Sequence, residues 1–299
     1  MTALASEAQP DLADPGFETP LETPSGKGRG DENFPVGSFL IRRDLRPHVH
    51  AFYCFARNAD DIADNPQLSS DDKVRRLARM GEILEGAPGD DSPAASAMRQ
   101  SLAATGTTAQ HCHDVLRAFT LDATKLRYRD WDDLMEYCRY SASPVGRQLL
   151  DLHGETRDCW PASDALCSAL QVLNHLQDCG DDYRNLDRVY LPLDLMSEAG
   201  IAVTALSART SSVGLRQVID RLLDSTDALI ATAGGLPGHV HARGLRWEAA
   251  TIVALAGRLS HRLRRGDPLS ARVALSKGDF AVSLVTGIVR GRRSPSTYP

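Results

Sequence analysis

Apolar residues recur at steps of three and four positions from Pro35 onward. Three series illustrate the spacing: Val49, Phe52, Tyr53 and Ala56; Leu166, Leu170, Leu173 and Leu176; and Ile219, Leu222, Leu223 and Leu229. Residues spaced in this way lie on one face of an α-helix. Alternating runs of Val, Ile and Thr, which are typical of strands, are scarce. The pattern predicts an all-α, single-domain fold in which many helices surround an apolar core.

Proline and glycine mark the expected helix ends. Breaks are predicted at Asn65-Pro66, from Gly86 to Pro93, at Trp160-Pro161, at Leu191-Pro192, and from Gly234 to Gly238. Ser163 precedes an apolar helical run, and a serine in this position is typical of a helix start.

The two ends of the chain differ from the helical part. Residues 1–32 are rich in proline, glycine and acids and lack apolar periodicity, so we expect a flexible tail there, a domain over residues 33–290 and a second tail over residues 291–299. The apolar stretch from Phe280 to Val289 is shorter than the roughly 20 residues needed to cross a bilayer. We interpret it as a buried helix, with a shallow membrane contact as the alternative.

Composition narrows the function classes. The formal net charge of −5 over 299 residues gives no support for nucleic-acid binding. The six cysteines form no CxxC pair, and no signal peptide is visible, so we expect reduced, mostly buried cysteines in a cytoplasmic protein, with a peripheral position at the inner membrane face as the alternative. The absence of GxGxxG, HExxH and GxSxG motifs leaves nucleotide-fold and hydrolase classes without support.

An acidic motif ends the helical run that starts near His50. Asp60 and Asp64 are four residues apart and share one helix face, and Arg57 lies one turn earlier on that face. Two like charges at this spacing destabilise a bare helix. A divalent cation would compensate them, because hard cations prefer carboxylate oxygens. A single motif of this kind is more often a solvated acidic helix end.

A second motif repeats the arrangement later in the chain. Asp178 and Asp182 are again four residues apart, with Asn174 one turn earlier and Gln171 about one turn before that, on a leucine-rich helix. Magnesium usually binds one or two carboxylates together with substrate phosphates and water. The repetition therefore favours a Mg²⁺-dependent loss of diphosphate from a substrate whose hydrocarbon part occupies an apolar cavity.

Two further clusters lie between and after these motifs. Residues 141–146 are mostly small around Pro144, which indicates either simple helix packing or a kinked helix that leaves room for a substrate chain. In the second interpretation, Tyr137 offers its hydroxyl or its ring face to a cation. Arg188 and Tyr190 follow the second motif, where the arginine would either close over a diphosphate or pair with surface acids.

At these residues the sequence resembles the squalene/phytoene synthase family. The shared positions are Arg57, Asp60 and Asp64; Gln171, Asn174, Asp178 and Asp182; Tyr137, Cys138, Val145 and Gly146; and the aromatic residues Phe34 and Tyr53. The resemblance runs from about Asn33 to about Val289 and implies an isoprenoid synthase-type helical bundle with a central apolar cavity. It further implies that the four aspartates bind Mg²⁺ and that Arg57 and Tyr137 act in catalysis. The substrate contacts that it implies are Asn33, Phe34, Tyr53, Arg57, Gln171, Asn174 and Arg188.

Within the family, four stretches resemble the hydroxysqualene synthases of the bacterial hopanoid pathway. They are residues 32–36, 141–147, 177–192 and 264–269. This resemblance implies conversion of presqualene diphosphate to hydroxysqualene, in which water captures a carbocation and no nicotinamide is needed. The implied partners are the isoprenoid diphosphate substrate and neighbouring squalene-pathway enzymes. Two alternatives stay open: a head-to-head prenyl transferase that makes presqualene diphosphate, squalene or phytoene, and a non-catalytic helical scaffold.

Overall fold

The predicted helical pattern is present throughout the computed structural model, which describes residues 20–22 and 40–291. The helices in these ranges are α1 (Arg46–Asp64), α2 (Ser70–Leu84), α3 (Pro93–Thr105), α4 (Gln110–Thr124), α5 (Trp131–Ser141), α6 (Ser143–Leu152), α7 (Trp160–Leu186), α8 (Leu193–Glu198), α9 (Val213–Ala233), α10 (Leu236–His239), α11 (Arg243–Arg265) and α12 (Lys277–Arg290). An isolated bridge between Arg127 and Val189 is the only β pairing among the described residues. The predicted all-α class is confirmed.

Most helix ends follow the local chemistry that the sequence indicates. Helix α1 stops at Asp64, just before Pro66, and α3 begins at Pro93 with the Ser92 hydroxyl accepting a hydrogen bond from a backbone N–H of the first turn. The prediction that a helix starts at Ser163 is wrong. Helix α7 already begins at Trp160, because Pro161 in its first turn needs no hydrogen-bond partner for its nitrogen.

The long helix α7 organises the larger of two cores. Its Leu166, Leu173 and Leu176 are buried against α6, α9 and α11. A smaller core, with Phe55 and Met80 at its centre, joins α1 to α2, α3 and α4. Helix α1 therefore belongs to the smaller core and α7 to the larger one, and each helix carries one of the acidic motifs.

Helices α6 and α7 approach each other closely. Helix α5 ends at Ser141 and α6 begins at Ser143, so the chain is interrupted just before Pro144, and the close approach that was the alternative for this segment is present as well. A Cβ atom at Gly146 would lie 2.4 Å from the Ser163 hydroxyl oxygen and 2.7 Å from the Cys167 sulfur. Only glycine allows this approach, which fixes α6 against α7.

Residues 20–22 of the predicted flexible tail are packed against the domain. Leu21 is buried in the smaller core, and Arg76 donates hydrogen bonds to the carbonyl oxygens of Pro20 and Leu21. The Glu22 carboxylate accepts from the hydroxyl of Ser92 at 2.6 Å. The structure thus departs from the predicted tail at these three residues, because a buried arginine and a helix start supply partners for them.

Helix α12 is not the buried helix that we expected from its apolar sequence. Val285 and Val289 expose about 60% of their surface, whereas Ser283 is fully buried. Gly287 faces α11 so closely that a Cβ atom there would lie within 3 Å of the Thr251 backbone. The small and polar residues of α12 therefore pack inward, and its valines point outward.

Four of the six cysteines are buried and all six are free thiols, as predicted.

Candidate active site

The first acidic motif lies on the last turns of α1, where arginines pair with its carboxylates. The Arg57 guanidinium is 3.0 Å from the Asp60 carboxylate and 2.8 Å from that of Asp61. Burial and the nearby Asp64 charge raise the pKa of Asp60 to about 8, although Arg57 opposes the shift. The raised pKa shows that the ionised form of Asp60 is destabilised here, which a bound cation would relieve.

Arg188 reaches the same motif from the far end of α7. That helix ends because Asp187 adopts a left-handed conformation with φ of 51°, which aspartate tolerates better than most residues. The Arg188 guanidinium then lies 2.5 Å from the Asp64 carboxylate and donates to the backbone oxygens of Ala63 and Asp122. It is buried and joins α1, α4 and the end of α7.

The second acidic motif has fewer cationic partners. Arg272 is 4.0 Å from the Asp178 carboxylate, and the Asp182 carboxylate forms no ion pair with any described residue. Burial and the charges of Asp178 and Asp64 raise the pKa of Asp182 to about 8. Because Asp64 belongs to the first motif, this coupling indicates that the two motifs face one electrostatic site.

A buried carboxylate on α4, which we did not predict, lies beneath this site. Asp122 is 4% exposed and accepts hydrogen bonds from the hydroxyls of Tyr137 at 2.8 Å and Tyr190 at 2.9 Å. Burial raises the pKa of Asp122 to about 6, and Arg188 opposes the shift. The rings of Tyr128, Tyr137 and Tyr190 pack together around it, with centroids 5.3 to 5.5 Å apart.

His175 completes the aromatic layer from α7. Its ring stacks on Tyr190 with a centroid distance of 3.5 Å, and its Nε2 lies 3.1 Å from the Gln171 amide nitrogen. Burial, together with the charge of Arg188, lowers the pKa of His175 to about 3. The ring is therefore neutral at physiological pH and accepts the hydrogen bond from Gln171.

An apolar cavity of about 420 Å³ lies beside the carboxylates. Its walls are mainly aliphatic and aromatic and come from α1, α4, α6, α7, α10 and α11. Arg57, Asp60 and Asn174 also line it, so the first acidic motif borders the apolar space directly. The volume falls within the range of small-molecule sites.

The predicted site residues fall into four groups. Tyr53, Arg57, Asp60 and Asn174 line the cavity, whereas Asp64, Gln171, Asp178, Asp182 and Arg188 belong to the charged network beside it. Tyr137 does not line the cavity; its hydroxyl is held by Asp122, and its assignment to catalysis stays a prediction. Asn33 and Phe34 lie outside the described residues.

A model of the squalene/phytoene synthase family matches residues 27–279 of the chain. The chain belongs to the squalene/phytoene synthase family. Among curated members of the family, it is 47% identical to the hydroxysqualene synthase of Zymomonas mobilis, over 85% of this chain and 86% of the relative. It is 45% identical to the hydroxysqualene synthase of Rhodopseudomonas palustris, over 88% of this chain and 89% of the relative. The predicted family and enzyme class are confirmed.

Solved structures of the family show the same fold. A squalene synthase, HpnC, from Alicyclobacillus acidocaldarius is 29% identical, with a TM-score of 0.68 over 77% of this chain and 87% of that chain. A dehydrosqualene synthase, at 23% identity, has a TM-score of 0.66 over 83% of this chain and 87% of that chain, and it supports the fold alone. The predicted isoprenoid synthase-type bundle is confirmed.

Sequence reasoning missed Asp122 and His175. Asp122 lies in a separate helix with no acidic neighbour at a recognisable spacing, so no local signal marked it. His175 lies between the predicted Asn174 and Asp178, and a histidine on a leucine-rich helix face was a signal that could have found it.

Proposed function

We propose that this enzyme converts presqualene diphosphate to hydroxysqualene. The observation that most supports this proposal is the apolar cavity bordered by Arg57 and Asp60. The cavity would hold the hydrocarbon, and the two charged side chains would lie next to the diphosphate and its metal ion. The hydroxysqualene synthases that are 43–47% identical to most of the chain support the choice of substrate. The reaction adds one water and releases diphosphate and one proton, so it needs no reductant.

We infer that Mg²⁺ is the cofactor. Enzymes of the family are generally dependent on a divalent metal. Among the described residues, no three histidine, cysteine, aspartate or glutamate side chains cluster as a complete metal site. Magnesium fits all the same, because it takes one or two carboxylates and completes its shell with phosphate oxygens and water. Asp60, Asp64, Asp178 and Asp182 would hold it, and it would stabilise the negative charge of the leaving diphosphate.

The protein's own groups would perform the remaining tasks. Arg57 and Asn174, on the cavity lining, would orient the diphosphate, while Arg188 holds Asp64 in place. The aliphatic walls would fold the hydrocarbon and keep bulk water away from the carbocation. Gln171 would act through His175 as a positioning residue for the second motif.

Product analysis tests the proposal. Purified enzyme is incubated with presqualene diphosphate and Mg²⁺ without NADPH, and the lipid products are identified by mass spectrometry. Hydroxysqualene is the expected product. If presqualene diphosphate is not consumed and farnesyl diphosphate alone is converted, the enzyme is instead a prenyl transferase of the same family.

A double substitution separates an enzyme from a scaffold. Asp60→Asn with Asp178→Asn should abolish turnover while the helical circular dichroism stays unchanged. The matched control is Asp132→Asn with Asp181→Asn, two acids that lie outside the proposed metal-binding set. Full activity in the first double variant would contradict the metal assignment.

We also propose a peripheral contact between α12 and an anionic lipid surface. No helix among the described residues is long and apolar enough to cross a membrane. Val282, Val285 and Val289 are exposed on α12, and the sequence continues from Arg290 to the basic pair Arg292-Arg293. An exposed apolar helix face that is followed in the sequence by basic residues favours in-plane membrane binding.

Vesicle sedimentation tests this contact. The enzyme should bind vesicles containing phosphatidylglycerol, and changing the three valines to serine should weaken binding about tenfold or more. The control changes Ser197, Ser207 and Thr232, which are exposed polar residues elsewhere, to alanine. Equal binding of the valine variant and the unchanged enzyme would contradict the contact.

An adjacent squalene-pathway enzyme as a partner stays a prediction.

A further inference from the structure

One buried glutamine in the cavity wall lacks hydrogen-bond partners. Gln148, on α6, is 1% exposed and lines the apolar cavity. Neither its Oε1 nor its Nε2 has a hydrogen-bond partner among the described residues. Burying an amide without partners costs free energy, so such a group in a folded protein requires an explanation.

Other polar side chains on the cavity wall each have at least one partner. Arg57 and Asp60 pair with each other, and the Ser163 hydroxyl bonds the Cys167 thiol. Asn174 and Glu248 also take part in interactions of their own. Within the described part of the wall, Gln148 is the residue whose side-chain hydrogen-bonding atoms both lack a partner, whereas Arg57 and Glu248 each leave one buried atom without a hydrogen bond and are otherwise engaged.

A second buried glutamine shows what an engaged amide looks like in this fold. Gln177 is 3% exposed on α7, and its Nε2 donates to the Val273 carbonyl oxygen at 2.5 Å. It lies outside the cavity lining. The contrast indicates that Gln148 is left unpartnered because of its position on the cavity, and a small polar ligand is what such a position fits.

We propose that the Gln148 carboxamide holds the water molecule that captures the carbocation, and that it thereby determines the product. This inference rests on the proposed function. The amide oxygen would accept a hydrogen bond from the water, which leaves a lone pair of the water oxygen for the cation. A water molecule in an apolar cavity needs such polar partners to stay in place.

The step balances without any further reagent. The water oxygen forms a C–O bond to the cationic carbon, and no electron is transferred. The oxygen then loses one proton, which passes to the diphosphate already released. Gln148 is not the base, since a neutral amide does not take up the proton; it only places the water. Without that water the cation would lose a proton from carbon and give an alkene.

The test compares products at equal consumption of substrate. Wild type, Gln148→Met and Gln148→Leu are incubated with presqualene diphosphate and Mg²⁺ in H₂¹⁸O. Wild type should give ¹⁸O-labelled hydroxysqualene. In both variants, diphosphate release should stay within about threefold of wild type, while the hydroxysqualene fraction falls about tenfold or more in favour of alkenes. Methionine keeps the unbranched shape of the glutamine side chain and therefore serves as the second variant if leucine impairs folding.

A stability measurement excludes a merely structural role. Replacing an unpartnered buried amide by an apolar side chain should leave the melting temperature unchanged or raise it. The control Gln177→Leu should lower the melting temperature and leave the product fraction unchanged, because its amide is bonded away from the cavity.

The outcomes are distinguishable. If wild type makes no hydroxysqualene, the proposed function itself is wrong and this inference falls with it. If wild type makes hydroxysqualene and the Gln148 variants keep its fraction, only the role of Gln148 is wrong. An unlabelled hydroxyl in the wild-type product would also overturn the role, since the oxygen would then come from the diphosphate.

Discussion

The two aspartate pairs have the same spacing but different surroundings. On α1, Asp60 is paired with Arg57 and Asp64 with Arg188. On α7, the Asp182 carboxylate has no ion pair among the described residues, and the buried ring of His175, one turn before Asp178, is neutral. The α1 pair is therefore held in place before any ligand binds, whereas on α7 Arg272 lies 4.0 Å from the Asp178 carboxylate and Asp182 has no ion pair in the part of the chain that the structure describes.

The difference suggests that the two aspartate pairs have different roles. An arginine beside a carboxylate compensates part of its charge, so a bound cation stabilises that carboxylate less. The arginine also fixes the position of the carboxylate. A carboxylate without such partners contributes more to cation affinity. We expect substitutions in the α7 pair to affect metal binding most and substitutions in the α1 pair to affect stability more.

The largest expected effect is on Asp182. Asp182→Asn should lower kcat by about 10²- to 10³-fold, the size of effect seen when a charge-stabilising group is lost. It should also raise the melting temperature of the metal-free enzyme, because a neutral amide replaces a partly buried carboxyl whose ionisation is opposed by burial and by Asp178 and Asp64. The matched control is Asp181→Asn, an exposed neighbour paired with Arg184. Steady-state kinetics and calorimetry with and without Mg²⁺ measure both effects; an unchanged Mg²⁺ requirement in Asp182→Asn would contradict the comparison.

Asp64→Asn tests the arginine-held pair. The substitution leaves the Arg188 guanidinium buried beside a neutral amide, so it should destabilise the fold by about 2–3 kcal/mol, somewhat less than a fully buried pair, since Asp64 keeps a third of its exposure. Urea unfolding measures the change. Adding Arg188→Met should recover part of the loss if the two side chains are coupled. Additive losses in the double variant would show that they are not.

The acid sensitivity of the α7 side comes from His175. Its pKa is about 3 in the folded protein, against about 6.5 for a free histidine, so the unfolded chain binds a proton that the folded one does not. The contribution of His175 to stability is therefore complete above pH 6.5 and is lost as the pH drops toward 3, while the raised pKa values of Asp60, Asp122 and Asp182 act in the opposite direction, so the comparison with a His175 variant isolates this contribution. The expected loss between pH 7.5 and pH 5 is about 2 kcal/mol, from 1.36 kcal/mol per pH unit. Melting temperatures of wild type and His175→Gln over this range test it, and an equal loss in both proteins would contradict the assignment.

Both acidic motifs and most helix ends could be predicted from the sequence because their signals are local. Four-residue spacing puts two carboxylates on one helix face wherever the helix lies, and Pro66 or Pro93 limits a helix without help from its neighbours. The start of α7 was predicted three residues late because a serine in a buried helix interior resembles a cap. Each of these features is determined by the residues of a single segment of the chain.

The missed features depend on several segments. Asp122 is a site residue only because α4 packs between α1 and the end of α7, where Tyr137, Tyr190 and Arg188 surround it. The outward valines of α12 could not be foreseen, because Gly287 and Ser283 face α11 for reasons of close packing. Periodicity indicates that a helix has two faces; which face turns inward is decided by the partner helix.

The smallest expected difference is the difference in stability loss between variants of the two tyrosines that hold Asp122. Tyr137→Phe and Tyr190→Phe each remove one hydrogen bond to a buried carboxylate, which contributes about 1.5–3 kcal/mol when the acceptor is charged. Tyr190 also stacks on His175 below the α7 pair, and phenylalanine keeps that ring contact. The two variants should therefore lose similar stability in urea unfolding. If Tyr137 acts on the cation as well, Tyr137→Phe should lower kcat by more than Tyr190→Phe does, and equal kcat values would restrict Tyr137 to supporting the carboxylate network.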